Sequence, residues 1–311
     1  MSIEIIQGSA ALLKSVKEYK AQKYEDAIVS LLSARVHYET AQSQGSSANS
    51  AKISADLEIV TKNLSLAYNS LGVKHHQAKE HEAAIKVFTL SNNEKNNFDA
   101  NYNLGLAHEN NNAWDNATEA FENSLKLLSP NDIKQAIEVR CKIIECTLRQ
   151  KDLNASHTAL KEACAFVNQH KDNKDNLPPK KVNFILEQYG KSCISFKVED
   201  SKEIEKIKTL YQQFNPGKLL WSALLEDIAA QYTEKSHGKT AEERKPLVDG
   251  LLKQCGHLVK NDKDGGAFKP LQELAAGLAL QIGDHQKVSD IAKASLADDL
   301  APILGVTQDS Q

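Results

Sequence analysis

The chain of 311 residues reads as all-α, a helical-hairpin solenoid followed by a further helical half, on three observations. One segment matches another 33 positions away. Outside that match, apolar residues recur at three- and four-residue intervals, which puts them on one helical face. Strand-like alternation is nowhere sustained.

The N-terminus, "MSIEIIQGSAALLKSVKEYK", carries an early Glu and no positive region ahead of an apolar core, so no secretory signal is expected. "KYEDAIVSLLSA" follows, with Ala27, Leu31 and Ala34 placed as on the second helix of a hairpin, although the preceding helix matches the pattern poorly. "AQSQGSSANS", residues 41–50, reads as a flexible insertion.

The self-match comes next. "YNSLGVKHHQAKEHEAAIKVFTLS" aligns with "NYNLGLAHENNNAWDNATEAFENSL", so that Leu71, Gly72, Ala84, Phe88 and Ser91 correspond to Leu104, Gly105, Ala117, Phe121 and Ser124. Small residues at these places allow two antiparallel helices to approach closely. Phe88 and Phe121 are expected to fill the space between neighbouring pairs.

This pattern resembles the tetratricopeptide repeat family, whose units of about 34 residues fold as two antiparallel helices. The resemblance is clear for residues 65–131 and degenerate on either side. Ile143, Ile144, Ser156, Leu160 and Ala163 fit a third unit after a longer connection. The repeats are expected to occupy residues 1–169, with "HKDNKDNLPP" (170–179) as a joint before a helical region over 180–311. That region ends in "FKPLQELAAGLALQIGDHQKVSDIAKASL", whose Gly283-Asp284 turn suggests a divergent terminal hairpin. "KNDKDGG", residues 260–266, is a third polar interruption.

Composition narrows the function. A net charge of -3 and a pI near 6.4 count against nucleic acid as the main ligand, because phosphate neutralisation needs concentrated Lys and Arg. No apolar run approaches the roughly 20 residues of a membrane span, so no membrane insertion is expected. Five cysteines, an odd number without framework spacing, suit a reducing compartment, and a cytoplasmic location follows as the expectation.

Chemical motifs fail on inspection. "HGKT", residues 237–240, has the tail of a phosphate-binding loop but Thr233 where its first Gly is needed, and an interhelical turn is the better reading. His75 and His108 share a framework position, which favours packing, and His76 points about 100° away from His75 on a helix. Cys141 and Cys146 diverge around their helix and lack a Cys-x-x-Cys turn. No cofactor, metal or catalytic residue is assigned.

The resemblance implies a concave groove lined by the first helix of each unit. Counting from each unit's start places Asn69, Ser70, Val73 and His76, then Tyr102, Asn103, Leu106 and Glu109, then Cys141, Lys142, Glu145 and Arg149 along it. The family's clamp for acidic chain termini is half represented. Asn103 and Lys142 match it, whereas Asn69 and Val73 stand where it has Lys and Asn. The expected function is a non-enzymatic adaptor or scaffold binding a protein or peptide partner in this groove. The alternatives are a helical enzyme or toxin with its site in the C-terminal half, and a self-assembling structural repeat protein.

Overall fold

The computed structural model describes residues 2–44, 49–195, 201–216, 220–261 and 268–306. Among them the regular structure is helical, in fifteen α-helices. The chain divides into two compact units, Met1–Ala159 and Leu160–Gln311.

In the N-terminal unit, consecutive helices pack as antiparallel neighbours: α1 (Ile3–Lys20) on α2 (Tyr24–Ser43), α3 (Ser50–Gln77) on α4 (His81–Glu94), and α5 (Phe98–Asn110) on α6 (Trp114–Lys126). Then comes α7 (Ile133–Gln150), packed on α6, and the start of α8 (Leu153–Gln169). The division between units falls inside α8, so the polar stretch 170–179 lies within the C-terminal unit.

The hairpins are held by a contact that explains the small residues. A Cβ on Gly72 would lie 2.5 Å from the Phe88 ring, and one on Gly105 would lie 2.6 Å from the Phe121 ring. Each phenyl therefore packs directly against the bare backbone of its own hairpin. It also reaches onward: Phe88 shares a cluster with Ala107 and Leu104 of the next hairpin, and Phe121 shares one with Val139, Ile143 and Cys146 of α7. The expectation of an inter-pair filler thus captured half of the role.

The first hairpin keeps the same spacing with different side chains. Leu31 replaces the Phe, and Ser15, sixteen residues earlier, replaces the Gly and is 2% exposed. Its hydroxyl is satisfied by the Leu12 carbonyl at 2.7 Å, the local bond that lets a serine be buried in a helix.

The turns share one geometry. Gln22, Lys79, Asn112, Lys151 and Gly283 all have φ between 57° and 72°, each two residues before the second helix of its pair. In four of them the next residue's N–H returns to the carbonyl three positions before the helix cap: Lys23 to Glu18, Glu80 to His75, Ala113 to His108, and Asp284 to Ala279. This is the Schellman arrangement, which satisfies orphan carbonyls at a helix end. Four of the five positions carry a side chain where glycine is the unstrained choice.

The expected flexible insertion needs correction. Ala41 to Ser43 belong to α2, with Ala41 buried, and Ser50 already opens α3; residues 45–48 lie outside the described residues. Helix α3 begins fifteen residues before its repeat unit, and the added turns bury Ile53, Val60 and Leu64 against Ile28, Leu31 and Tyr38. A stretch read as connection is in part the cover of the first hairpin.

The C-terminal unit comprises the remainder of α8, a short 3₁₀ turn at Lys174–Asn176, α9 (Pro179–Ser195), α10 (Ser201–Phe214), α11 (Leu220–Ser236), α12 (Ala241–Asn261), α13 (Phe268–Gln281), α14 (His285–Lys293) and α15 (Ala297–Ile303). Most of the "KNDKDGG" interruption lies outside the described residues. Helix α12 is the hub, touching α9, α11, α13 and α15. Helices α13 and α14 form the expected terminal hairpin, joined by the Gln272 side chain donating to the Ile291 and Ala294 carbonyls at 2.6 and 2.8 Å. The chain then returns through α15 to α12, where Gly256 faces Val306, Leu304 and the Ala301 carbonyl so closely that a Cβ would meet Val306 at 2.7 Å.

"HGKT" is an interhelical turn. Gly238 takes φ +71°, and Thr240 and Glu243 bond reciprocally as a capping box at the start of α12.

Candidate functional site

The first helices α1, α3, α5 and α7 are joined in sequence by polar contacts between neighbours. Tyr19 on α1 meets Ser70 on α3, hydroxyl to hydroxyl, at 2.8 Å. The Asn103 amide of α5 donates to the Asn69 carbonyl oxygen of α3 at 3.0 Å, and Asn110 lies 3.2 Å from His76 Nε2. Lys142 of α7 donates to Glu109 of α5 at 3.0 Å. Of the groove residues expected from the sequence, Asn69 and Asn103 bond one another, as do Glu109, Lys142 and Glu145.

Their surroundings differ along the strip. Asn69 and Asn103 each spend half of a side-chain amide on the mutual bond. One donor group and one acceptor oxygen remain, whichever way the amides are oriented. Val73, Tyr102 and Leu106 are half-buried and pack against the hairpin cores, Tyr102 stacking on Phe98 and tilting onto Phe121 with ring centroids at 5.7 and 5.5 Å. Those three serve packing with one side and the strip with the other. Cys141, expected on the strip, is buried, because its place on α7 faces the interior. Arg149 is exposed near the end of α7.

Charge is concentrated at the α5–α7 end. Lys142 bonds Glu109 and Glu145, each at 3.0 Å, with 23% of its side chain exposed. Burial pulls its ammonium down, but the hydrogen bonds it donates to both carboxylates outweigh that and hold its pKa above the ordinary lysine value. The three groups together carry one net negative charge. The Tyr102 phenol, raised by burial and then by Glu138, borders the same region.

Histidines cluster at the α3–α4 turn. His75 Nδ1 contacts Glu80 at 2.6 Å, closing the turn. His76 and His81 meet edge to face with centroids at 5.8 Å, and the Nδ1 atoms of both are buried without a partner. Burial, and then the neighbouring His81, lowers the His76 pKa; burial lowers that of His108. No group of three or more His, Cys, Asp or Glu among the described residues is placed to hold a metal. The five cysteines are buried, and burial pushes the thiols of Cys146 and Cys255 up to about 12, as expected of structural thiols. Among the described residues no helix is long and apolar enough to cross a membrane.

What the sequence missed was the pairing between repeats. The available signal was a polar residue on successive first helices at a spacing of 33 or 34, as at Asn69 and Asn103 or Glu109 and Lys142.

No family model matches the chain. No curated protein matches it either. Among solved structures, the crystal structure of BtubC (BKLC) from P. vanneervenii is similar over 72% of this chain and 93% of that chain, at 12% sequence identity and a TM-score of 0.38. A chain in the structure of Naa15/Naa10 bound to HypK-THB is similar over 88% of this chain and 51% of that one, at 11% identity and a TM-score of 0.30. Neither likeness is close enough to transfer residues or roles.

Proposed function

We propose that the protein is a non-enzymatic adaptor of tetratricopeptide type, whose first-helix strip binds an extended, neutral-to-basic segment of a partner protein. The observation that carries this reading is the Asn69–Asn103 pair. Its unused donor and acceptor match the carbonyl and N–H of an extended backbone, and Tyr102 and Leu106 flank it with partly exposed apolar surface. The charge preference comes from Lys142. Its ammonium is already held by Glu109 and Glu145, so an acidic chain terminus would meet two carboxylates at the place where a clamp needs a free cation.

Peptide display against the intact protein, followed by fluorescence anisotropy on the enriched sequences, tests this. The variant Asn69→Ala, Asn103→Ala, Glu109→Gln, Glu145→Gln should weaken binding more than about tenfold, or about 1.4 kcal/mol, with unchanged circular dichroism. Retained binding removes the strip assignment. Enrichment of acidic peptides removes the charge assignment.

A second reading, self-association, is supported by exposed aliphatic residues on the first hairpin: Ile3, Ile6 and Leu13 on α1, and Val29, Leu32 and Val36 on α2. Light scattering across a concentration series tests it. A mass that stays at one chain throughout counts against it.

A further inference from the structure

The first hairpin carries its exposed apolar residues on the side opposite α3. Helices α1 and α2 bury Ile5, Leu31 and Tyr38 in the cluster that they share with α3. Two positions along a helix are about 200° around it, so Ile3 points away from that cluster on α1, as Val29 and Val36 do on α2. Ile3, Leu13 and Val29 are each 67% exposed, more than any other large apolar residue among those described.

The spacing shows what such a face can meet. Ile3, Ile6, Ala10 and Leu13 fall at i, i+3, i+7 and i+10 on α1, and Val29, Leu32 and Val36 at i, i+3 and i+7 on α2. That is the seam of a helix that packs lengthwise on another helix. The outer face of a terminal repeat is ordinarily polar, because it meets water. Two neighbouring seams instead call for a pair of helices as their complement. The face is large enough to hold one. Helix α1 has 18 residues and is about 27 Å long, and two helices side by side are about 20 Å wide, so each face projects about 500 Å². Two such faces joined remove about 1,000 Å² from water, the size at which a specific interface begins.

The flanking charges identify that pair as a second copy of the same hairpin. Exposed Lys17 and Lys20 close α1, and exposed Glu25 and Asp26 open α2. Because a short turn joins these antiparallel helices, both charge groups lie at one end of the hairpin. A two-fold axis parallel to the helices lays α1 of each copy on α2 of the other, end matched to end, so the lysines face the carboxylates twice. An axis across the helices lays α1 on α1 with opposite ends together, and the lysines then face Ile3. Only the first arrangement joins opposite charges. Glu25 also meets Lys74 at 3.1 Å, but both side chains are more than half exposed and leave room for a second cation. Resting on the self-association reading above, we propose that two copies dimerise through these faces about an axis parallel to the helices. Each α1 lies antiparallel on the other copy's α2, in a four-helix bundle.

Sedimentation velocity of the whole chain between about 1 and 200 µM tests the assignment, with circular dichroism and thermal melting as checks on folding. The parent should sediment as a dimer at the upper end. Leu13→Glu and Val29→Glu, at exposed positions outside the hairpin core, should each weaken dimerisation at least about tenfold. Lys17→Glu with Lys20→Glu, and separately Glu25→Lys with Asp26→Lys, should each weaken it, since like charges then face each other. An equimolar mixture of these two charge variants should recover the dimer, because every α1 again faces an α2 of opposite charge. A parent that stays at one chain at every concentration overturns this proposal and the self-association reading together. A dimer that survives in folded Leu13→Glu and Val29→Glu proteins overturns the proposal alone and assigns self-association to another face. A dimer indifferent to both charge reversals, or one that mixing does not recover, overturns the α1-on-α2 arrangement.

Discussion

Adding a single methyl group at Gly105 should destabilise the N-terminal unit even though alanine is the better helix former. The new Cβ would lie 2.6 Å from the Phe121 ring, against about 3.5–4.0 Å for carbon atoms in contact, so ring or helix must move by about 1 Å. Phe121 is fully buried between Gly105 and α7 and has little room to yield. Overpacking of this kind costs about 1–3 kcal/mol. The gain in helix propensity returns about 1 kcal/mol, which leaves a net loss of about 1 kcal/mol as the middle expectation. The two tryptophans make the measurement local, because Trp114 lies in the N-terminal unit beside Phe121 and Trp221 lies in the C-terminal unit. In a Trp221→Phe background, urea unfolding followed by Trp114 fluorescence should shift to lower denaturant in Gly105→Ala. Phe121→Leu should cost less in that variant than alone, since the shorter side chain relieves the clash it would otherwise only hollow out. Gly250 and Gly277, on α12 and α13, would have nothing within 4 Å of an added Cβ and serve as controls read by Trp221 in a Trp114→Phe background, where alanine should stabilise by about 0.5–1 kcal/mol. A Gly105→Ala protein as stable as the parent would refute the ring-on-glycine account of the repeat.

Two further expectations concern the same unit. Lys79→Gly relieves a left-handed residue at the α3–α4 turn and should raise stability by about 0.5–1 kcal/mol, with Asn112→Gly gaining less because asparagine tolerates that conformation better; an unchanged urea midpoint in both contradicts the turn geometry. His76 and His108 have depressed pKa values, so the unfolded chain takes up protons first as pH falls. Their contribution is complete above the unfolded value near 6.5 and is lost as pH drops from there through the folded values. Urea midpoints measured between about pH 7.5 and 5 should fall, and His76→Gln with His108→Gln should flatten the slope; an equal slope in that variant assigns the dependence elsewhere.

Much of the fold was legible because it rests on local facts. The helical period of apolar residues marks which face is buried, and the sizes of Gly72, Ala84 and Phe88 mark where two helices meet, so a 33-residue recurrence of those sizes announces hairpins. The first hairpin was harder to see. Ser15 and Leu31 keep the spacing of the small and large residue but change both identities, and a pattern defined by residue type passes over them. The groove positions were legible as places on first helices, but their chemistry was not. Nothing in the local sequence around Lys142 shows that Glu109 spends its charge, and nothing around Cys141 shows that its side of α7 is covered.

The sequence by itself determined the helices, the hairpins of the clear repeat and the absence of a recognisable catalytic motif, since these follow from periodicity and side-chain size within a few turns of chain. Only the tertiary structure decided that α3 extends backward to cover the first hairpin, that Asn69 and Asn103 pair, and that α15 closes on Gly256. The reason is geometric: spacing along a helix gives the direction of a side chain, whereas the group it meets arrives on another helix, tens of residues away, placed by the packing of both.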